Sequence, residues 1–384
     1  MLPTVVQGRK VVWNGIDYYG RRIIDQVFPE QIRKRTNNNE MLIETVNGSM
    51  WQVTGSDNYN SLVGSNPVGV VFSEWSLADP AAWNYIRPIL QENGGWAIFI
   101  YTPRGKNHGF KTYDMAEGND AWFAELLTVD QTKREDGITP VFSEDQIQEE
   151  RDSGMAEDMI LQEYFCSFDA GMAGAFYTDE LNRAEEDGRL GDHPWDPTRQ
   201  CVSVWDLGIQ DATSINIVQV DERGRPRIID YIEDRNQGLD YYIKRLNETP
   251  YVFAGHFGPH DLAVRDWASG RSRMQIASDL GLDFEEPIAK QSLEDGIQAT
   301  REFLNLAYIH KPKCDKLLDG LYSYRREYNE KMDIWSDRPV HDWSSHPSDC
   351  TRYTAQAWLD IKHLLQRSTD NLQPSNIQVI RGHR

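Results

Sequence analysis

Two short apolar runs in this chain each lead into an aspartate, and that pattern restricts the fold more than any other feature. Cys201 to Trp205 runs into Asp206 in CVSVWDLGIQDAT, and Tyr251 to Phe257 is followed after Gly258-Pro259-His260 by Asp261 in HFGPHDLAVRDW. Apolar runs of this length, bounded by turn residues, read as strands buried on both faces of an α/β sheet. A third acid, Asp349 in HDWSSHPSDCTRYTA, is expected near the start of a helix. Carboxylates drawn from distant parts of a sequence to strand ends and a helix start make an all-oxygen site. Such a site suits Mg²⁺ or Mn²⁺, and a pair of such ions can drive phosphodiester cleavage. Asp206, on what should be a central and rigid strand, is the expected bridging ligand. Asp211 and Asp266 are lesser candidates, and Asp342 and His346 are candidates to orient water or ligands around Asp349.

The rest of the chain supplies the order of elements. Glu40 to Val46 and Ser49 to Thr54 flank Asn47-Gly48, a strong hairpin signal. Val68 to Phe72 reads as a strand ending at Ser73-Glu74. A helix then begins with Asp79 as its cap and Pro80 in its first turn, and stops at Asn93-Gly94-Gly95. Trp96 to Tyr101 reads as a second strand, ending at Thr102-Pro103-Arg104-Gly105. Strand–helix–strand with apolar strands is the rhythm of a parallel sheet. Helices are expected near 143–153 and 156–164, the first opened by a capping box of Ser143 and Gln146. Strands are expected near 200–205, 214–220, 226–233 and 251–257, with helices near 238–248, 271–280 and 291–304. Adjacent strands, then crossovers, then a carboxylate-bearing helix is the order of an RNase H-like fold.

Composition narrows the class. At 384 residues, about two domains are expected. The apolar content of 39% can fill real cores. No run approaches the ~20 apolar residues that span a bilayer. Met1 to Lys10 has no apolar segment of the kind a signal peptide carries. The four cysteines are scattered and form no CxxC, so reduced thiols in a cytoplasm are expected. The formal net charge of −20 argues against a surface coated in phosphate-binding cations. It leaves room for a local basic surface, for which Arg265, Arg271 and Arg273 are the candidates.

The amino-terminal half carries a second pattern. Glu74, just past a buried strand in GVVFSEW, stands where a nucleotide hydrolase keeps the carboxylate that polarises the attacking water. Thr102 in YTPRG stands where a hydroxyl can sense a γ-phosphate. There is no G-x-x-x-x-G-K-[ST] in the chain, hence no backbone cradle for phosphates.

These motifs together resemble the large terminase subunit of tailed bacteriophages, the motor–nuclease that packages DNA into capsids. The resemblance runs from about Leu2 to about Leu365. It rests on VTGSDNYNSLVGSNPVGVVFSEWSLADPAAW, GGWAIFIYTPRGKNH, PHDLAVRDWASGRSR and SSHPSDCTRY. It implies an α/β chain in which a partial ASCE/P-loop-type ATPase domain precedes an RNase H-like nuclease domain. The expected division is 1–175 for the ATPase part, 176–195 as linker, 196–367 for the nuclease and 368–384 as a flexible tail.

By the same resemblance Glu74 is the Walker B glutamate, Thr102 belongs to the coupling motif, and Asp206, Asp261 and Asp349 are the nuclease triad. Double-stranded DNA, the small terminase subunit and the portal protein are the implied partners. A homo-oligomeric ring on the portal, in the host bacterial cytoplasm, is the implied setting. Two departures stand out. Ser73 replaces the usual Walker B aspartate, and the family's phosphate loop precedes the segment that LPTVVQGRKVVW resembles. The expectation is a chain that begins after that loop, with weak or absent ATP hydrolysis, an incomplete ATPase sheet and an intact nuclease. The rival expectation is a truncated prophage remnant that keeps only portal or small-subunit interaction.

Overall fold

A computed structural model describes residues 1–62, 64–169, 174–208, 212–265, 270–329 and 334–371. The chain divides into two compact units, Met1–Ala173 and Gly174–Arg384.

In the first unit two short helices, α1 (Val5–Gly8) and α2 (Ile23–Val27), pack beside a three-stranded antiparallel sheet. That sheet comprises β1 (Arg33–Asn37), β2 (Leu42–Thr45) and β3 (Met50–Gln52). The β2–β3 turn carries the Asn-Gly pair, with Gly48 at φ +87°, a conformation a Cβ would disfavour. β4 (Gly69–Ser73) and β5 (Trp96–Ile100) follow, parallel and joined through α3 (Ala81–Asn93). Asp79 Oδ1 accepts from Ala81 N, so its capping role is as expected, and Gly94 ends the helix at φ +61°.

Alternation gives this pair of strands two faces. Phe72 and Phe99 stack across the strands at 4.9 Å and pack with Ile86 and Leu90 of α3. The other face presents Val71, Trp96, Ile98 and Ile100 to solvent. The parallel sheet of the expected ATPase-type domain is thus two strands wide among the described residues. α4 (His108–Glu117), α5 (Glu144–Asp152) and α6 (Glu157–Glu163) complete the unit. α5 opens with the Ser143–Gln146 capping box.

The second unit begins with α7 (Thr178–Glu186) and β6 (Leu190–Gly191). The stretch expected as a linker over 176–195 is therefore structured. Phe176, Tyr177, Leu181 and Leu190 are core residues. The main sheet adds β7 (Cys201–Asp206), β8 (Ala212–Val220), β9 (Pro226–Arg235), β10 (Phe253–Phe257) and β11 (Tyr308–His310). Its strand order is β10-β7-β8-β9-β11-β6. β7, β8 and β9 form an antiparallel meander, and β10 pairs with β7 in parallel. Three antiparallel strands with a fourth beside and parallel to the first is the RNase H-like order.

Helices cover both faces of this sheet. On one side α8 (Leu239–Asn247) and α9 (Arg273–Asp279) pack against Trp205, Ile215, Ile217 and Ile229. On the other, Val202, Val204, Val218 and Ile228 meet α7 and four helices: α10 (Leu293–Leu304), α11 (Lys311–Ser323), α12 (Ser345–Gln356) and α13 (Trp358–Asn371). Strands β12 (Arg326–Asn329) and β13 (Ile334–Pro339) form a separate antiparallel pair ahead of α12. No helix among the described residues is long and apolar enough to cross a membrane.

Candidate active site

α12 is an unusual core helix, because its buried residues are mostly small and polar. Ser345, His346, Ser348, Thr351 and Thr354 are all buried, with Pro347 and Cys350 between them. Its two threonine hydroxyls are satisfied locally: Thr351 Oγ1 donates to the Pro347 carbonyl at 2.8 Å and Thr354 Oγ1 to that of Cys350 at 2.9 Å. Small side chains let the helix sit close to the sheet. Asn216 Nδ2 on β8 donates to Thr354 Oγ1 at 3.0 Å, and the Cys350 thiol donates to the Val204 carbonyl on β7 at 3.3 Å.

This seating carries Asp349 toward the carboxyl end of β7, where Asp206 is the last residue of the strand. β10 runs parallel to β7, so its end lies on the same edge. Asp261 follows in a 3-10 turn spanning His260–Ala263. Tyr353, one turn beyond Asp349, senses all three acids. Its phenol is pushed up to about 12, first by burial and then by the charge of Asp206, opposed by Arg352, with further contributions from Asp349 and Asp261. Asp349 is in the second turn of α12 rather than the first. The helix dipole therefore does little for its charge, since that effect fades within the first turn. Burial raises the Asp349 carboxyl above the usual range, countered by Arg352 and His341.

Two of the three acids are held by arginines that sequence reading did not assign to the site. Arg352 Nη2 lies 2.9 Å from Asp349 Oδ1, and Arg273 Nη1 lies 2.9 Å from Asp261 Oδ2. The i,i+3 spacing of Asp349 and Arg352 was a readable signal for the first; nothing local announced the second. Arg273 had been grouped with Arg265 and Arg271 as a basic surface. Instead it faces Asp261, and Arg271 pairs with Asp279. Asp342 pairs with Arg325 at 2.9 Å and accepts from the Ser344 amide, so it organises the approach to α12. His346 is buried near His341, with ring centroids 6.2 Å apart. Asp211 and Asp266 lie outside the described residues.

The donor set is that of a hard divalent cation: three carboxylates on three elements of one rigid unit. Asp261 Oδ1 is buried without a hydrogen-bond partner among the described residues, as an oxygen reserved for a ligand would be. No three acidic, histidine or cysteine groups among the described residues are close enough to enclose an ion.

The second candidate cluster lies in the first unit, at the carboxyl ends of β4 and β5. Glu74 follows β4 in the left-handed region, φ +58° and ψ +45°, a conformation costly for a residue with a side chain. Its loop is stitched to the one that holds Thr102. Ser76 Oγ donates to the Thr102 carbonyl at 2.7 Å, Asn107 Nδ2 donates to the Ser76 carbonyl at 2.8 Å, and His108 Nε2 lies 2.7 Å from the Trp75 carbonyl. Ser76, Asn107 and His108 carried no recognisable signal in the sequence. Their role is visible only once the two strand ends are side by side.

No protein-family model matches the chain. Among solved structures it is similar to the large terminase of a thermophilic bacteriophage in complex with ADP, at 16% identity and TM-score 0.38, covering 93% of this chain and 85% of that one. It is also similar to the P22 large terminase nuclease domain, at 13% identity and TM-score 0.35, covering 47% of this chain and 93% of that one. For the Mn-bound nuclease domain of bacteriophage SPP1 the values are 13% and 0.30, covering 40% and 84%. In sequence, the large terminase subunit of Escherichia phage T5 is 24% identical over 334 residues, which span 83% of this chain and 72% of that protein. By this alignment across most of its length, together with the sheet order of its second unit and the motifs in both units, the chain is similar to a phage large terminase subunit.

Proposed function

We propose that the second unit is a metal-dependent endonuclease that cuts concatemeric double-stranded DNA during ATP-driven packaging into the capsid. The observation that carries this reading is the convergence of Asp206, Asp261 and Asp349 around Tyr353 at one edge of the sheet. Asp206 ends the strand that α12 is pinned to, so it is the rigid member and the proposed bridging ligand. Asp261 offers an Oδ1 that has no partner among the described residues, and Asp349 is presented from the helix. These three carboxylates would hold Mg²⁺ or Mn²⁺, which would supply an activated water and offset charge on the leaving oxygen. The residues of the chain hold that site together and exclude bulk water behind it with Tyr177, Tyr324 and Tyr353, all phenols that burial keeps protonated.

In the first unit, Glu74 and Thr102 are the proposed catalytic carboxylate and nucleotide-sensing hydroxyl for ATP, held in register by the Ser76–Thr102 hydrogen bond. The small terminase subunit, the portal protein and further copies of the chain in a ring are the proposed partners, in the host cytoplasm at the portal vertex. The acidic net charge suits a protein whose site selection on DNA is supplied by a partner.

The test is cleavage of plasmid DNA by the purified chain with Mg²⁺ or Mn²⁺ and no ATP, wild type beside Asp206→Asn. Nicking or linearisation lost in the variant supports the nuclease. A well-folded wild type inert with both metals favours a remnant that retains only portal or small-subunit binding.

A further inference from the structure

The two arginines at the candidate nuclease site are mounted in ways that their own elements do not explain. Arg273 is the first residue of α9, after the Ser272 cap. A cation at the positive end of a helix is opposed by the dipole, so helix stability does not account for it. Its place is fixed: Ser272 and Gln275 form a capping box, and Ser272 bridges to Arg265. From there it takes Oδ2 of Asp261, while Oδ1 of the same carboxylate is buried without a partner among the described residues.

Arg352 is mostly buried, and its stem runs through a notch in α10. A Cβ at Gly296 would stand 2.6 Å from Arg352 Cδ and 3.0 Å from Cγ, so the notch exists only because residue 296 is glycine. Its guanidinium takes Oδ1 of Asp349, and its Nε is buried without a partner among the described residues. Burying a guanidinium in this way is costly unless its charge has a task.

We propose that Arg273 and Arg352 are positioning residues of the metal site. Each grips one oxygen of its aspartate and thereby presents the other to a divalent cation. This rests on the nuclease reading above. Carboxylates that bind metals are themselves held by outer hydrogen bonds, and losing such a partner typically costs ~10–100-fold in metal affinity. The opposite role, a cation that merely fills the site until a metal displaces it, has the opposite sign, because its removal strengthens metal binding.

The experiment is Mn²⁺ binding to the full chain without DNA, read from the free Mn²⁺ signal in electron paramagnetic resonance. Wild type is compared with Arg273→Gln, Arg352→Lys and Asp206→Asn, each checked by circular dichroism in the absence of metal. Arg273 is half-exposed, so its variant folds even if changes at Arg352 do not. Expected is Mn²⁺ binding weakened by about 10–100-fold in Arg273→Gln, with a smaller loss in Arg352→Lys and unchanged metal-free spectra. Unchanged or tighter binding in a folded Arg273→Gln overturns the positioning role and leaves the nuclease reading standing. Wild-type binding that Asp206→Asn does not reduce overturns the site itself, and this inference with it.

Discussion

The thiol of Cys350 donates to the main-chain carbonyl of Val204 at 3.3 Å, which fastens the helix bearing Asp349 to the strand that ends in Asp206. Cys350 is wholly buried between α12 and the sheet. A small side chain at this place sets the separation of two acids that are 143 residues apart in sequence. Cys350→Phe should therefore lift α12 from β7, cost about 1–3 kcal/mol by overpacking, and reduce metal-dependent cleavage more than it reduces folding. Thermal unfolding beside plasmid cleavage separates the two effects; a variant that loses stability but keeps full cleavage would show that this spacing is not critical.

A second close approach supports the same helix. A Cβ on Gly320 of α11 would stand 2.0 Å from Pro347 Cγ, two residues before Asp349. Gly320→Ala should destabilise the second unit by about 1–3 kcal/mol, even though alanine is the better helix former. Denaturant unfolding would measure it, and a gain in stability would mean that the α11–α12 contact is looser than described.

Asp206→Asn keeps the size and shape of a strand-end side chain and removes its charge. Metal-dependent cleavage should be lost with circular dichroism and unfolding temperature close to wild type. Cleavage retained by a folded variant would take Asp206 out of the site.

Glu74→Gln should leave DNA cleavage by the isolated chain unchanged, because Glu74 belongs to the other unit and the nuclease reaction consumes no nucleotide. A large drop in cleavage would show that the two units are functionally coupled. Glu74→Gly should not destabilise the first unit, since glycine tolerates φ +58°. Thermal unfolding checks this.

Acid should destabilise both units through buried histidines. Burial lowers His108 and His256 from 6.5 to about 4. Both are neutral in the fold and bind a proton more readily when unfolded. Their contribution is complete above about pH 6.5 and is lost as pH falls from there through about 4. At His256 the cause is burial, and the ring is further fixed by its neighbours: Trp205 Nε1 donates to Ser203 Oγ at 2.7 Å, and Ser203 Oγ lies 2.7 Å from His256 Nδ1. His256→Gln should flatten the dependence of the second unit's unfolding temperature on pH between 6.5 and 4; an unaltered slope would place the effect elsewhere.

The sequence alone determined the elements whose pattern is local. The β2–β3 hairpin followed from Asn47-Gly48, the α5 start from Ser143 and Gln146, and the buried strands β7, β8 and β10 from short runs rich in apolar residues. It also singled out Asp206 at the end of a buried strand, Asp261 shortly after another and Asp349 near a helix start. What it missed depends on contacts between distant residues. α7 was mistaken for linker because its apolar positions make sense only against Tyr324 and the sheet. α4 and α11 carry start signals, Asn107 and Pro312, without a strong apolar period behind them. Only the tertiary structure brought the three acids to one edge, since that requires β10 to lie parallel to β7 and a helix of small residues to settle on both β7 and β8. It also assigned Arg273 and Arg352 to particular oxygens. Sequence spacing fixes which residues share a strand or a turn of helix, whereas the pairing of charges across elements is set by how those elements pack.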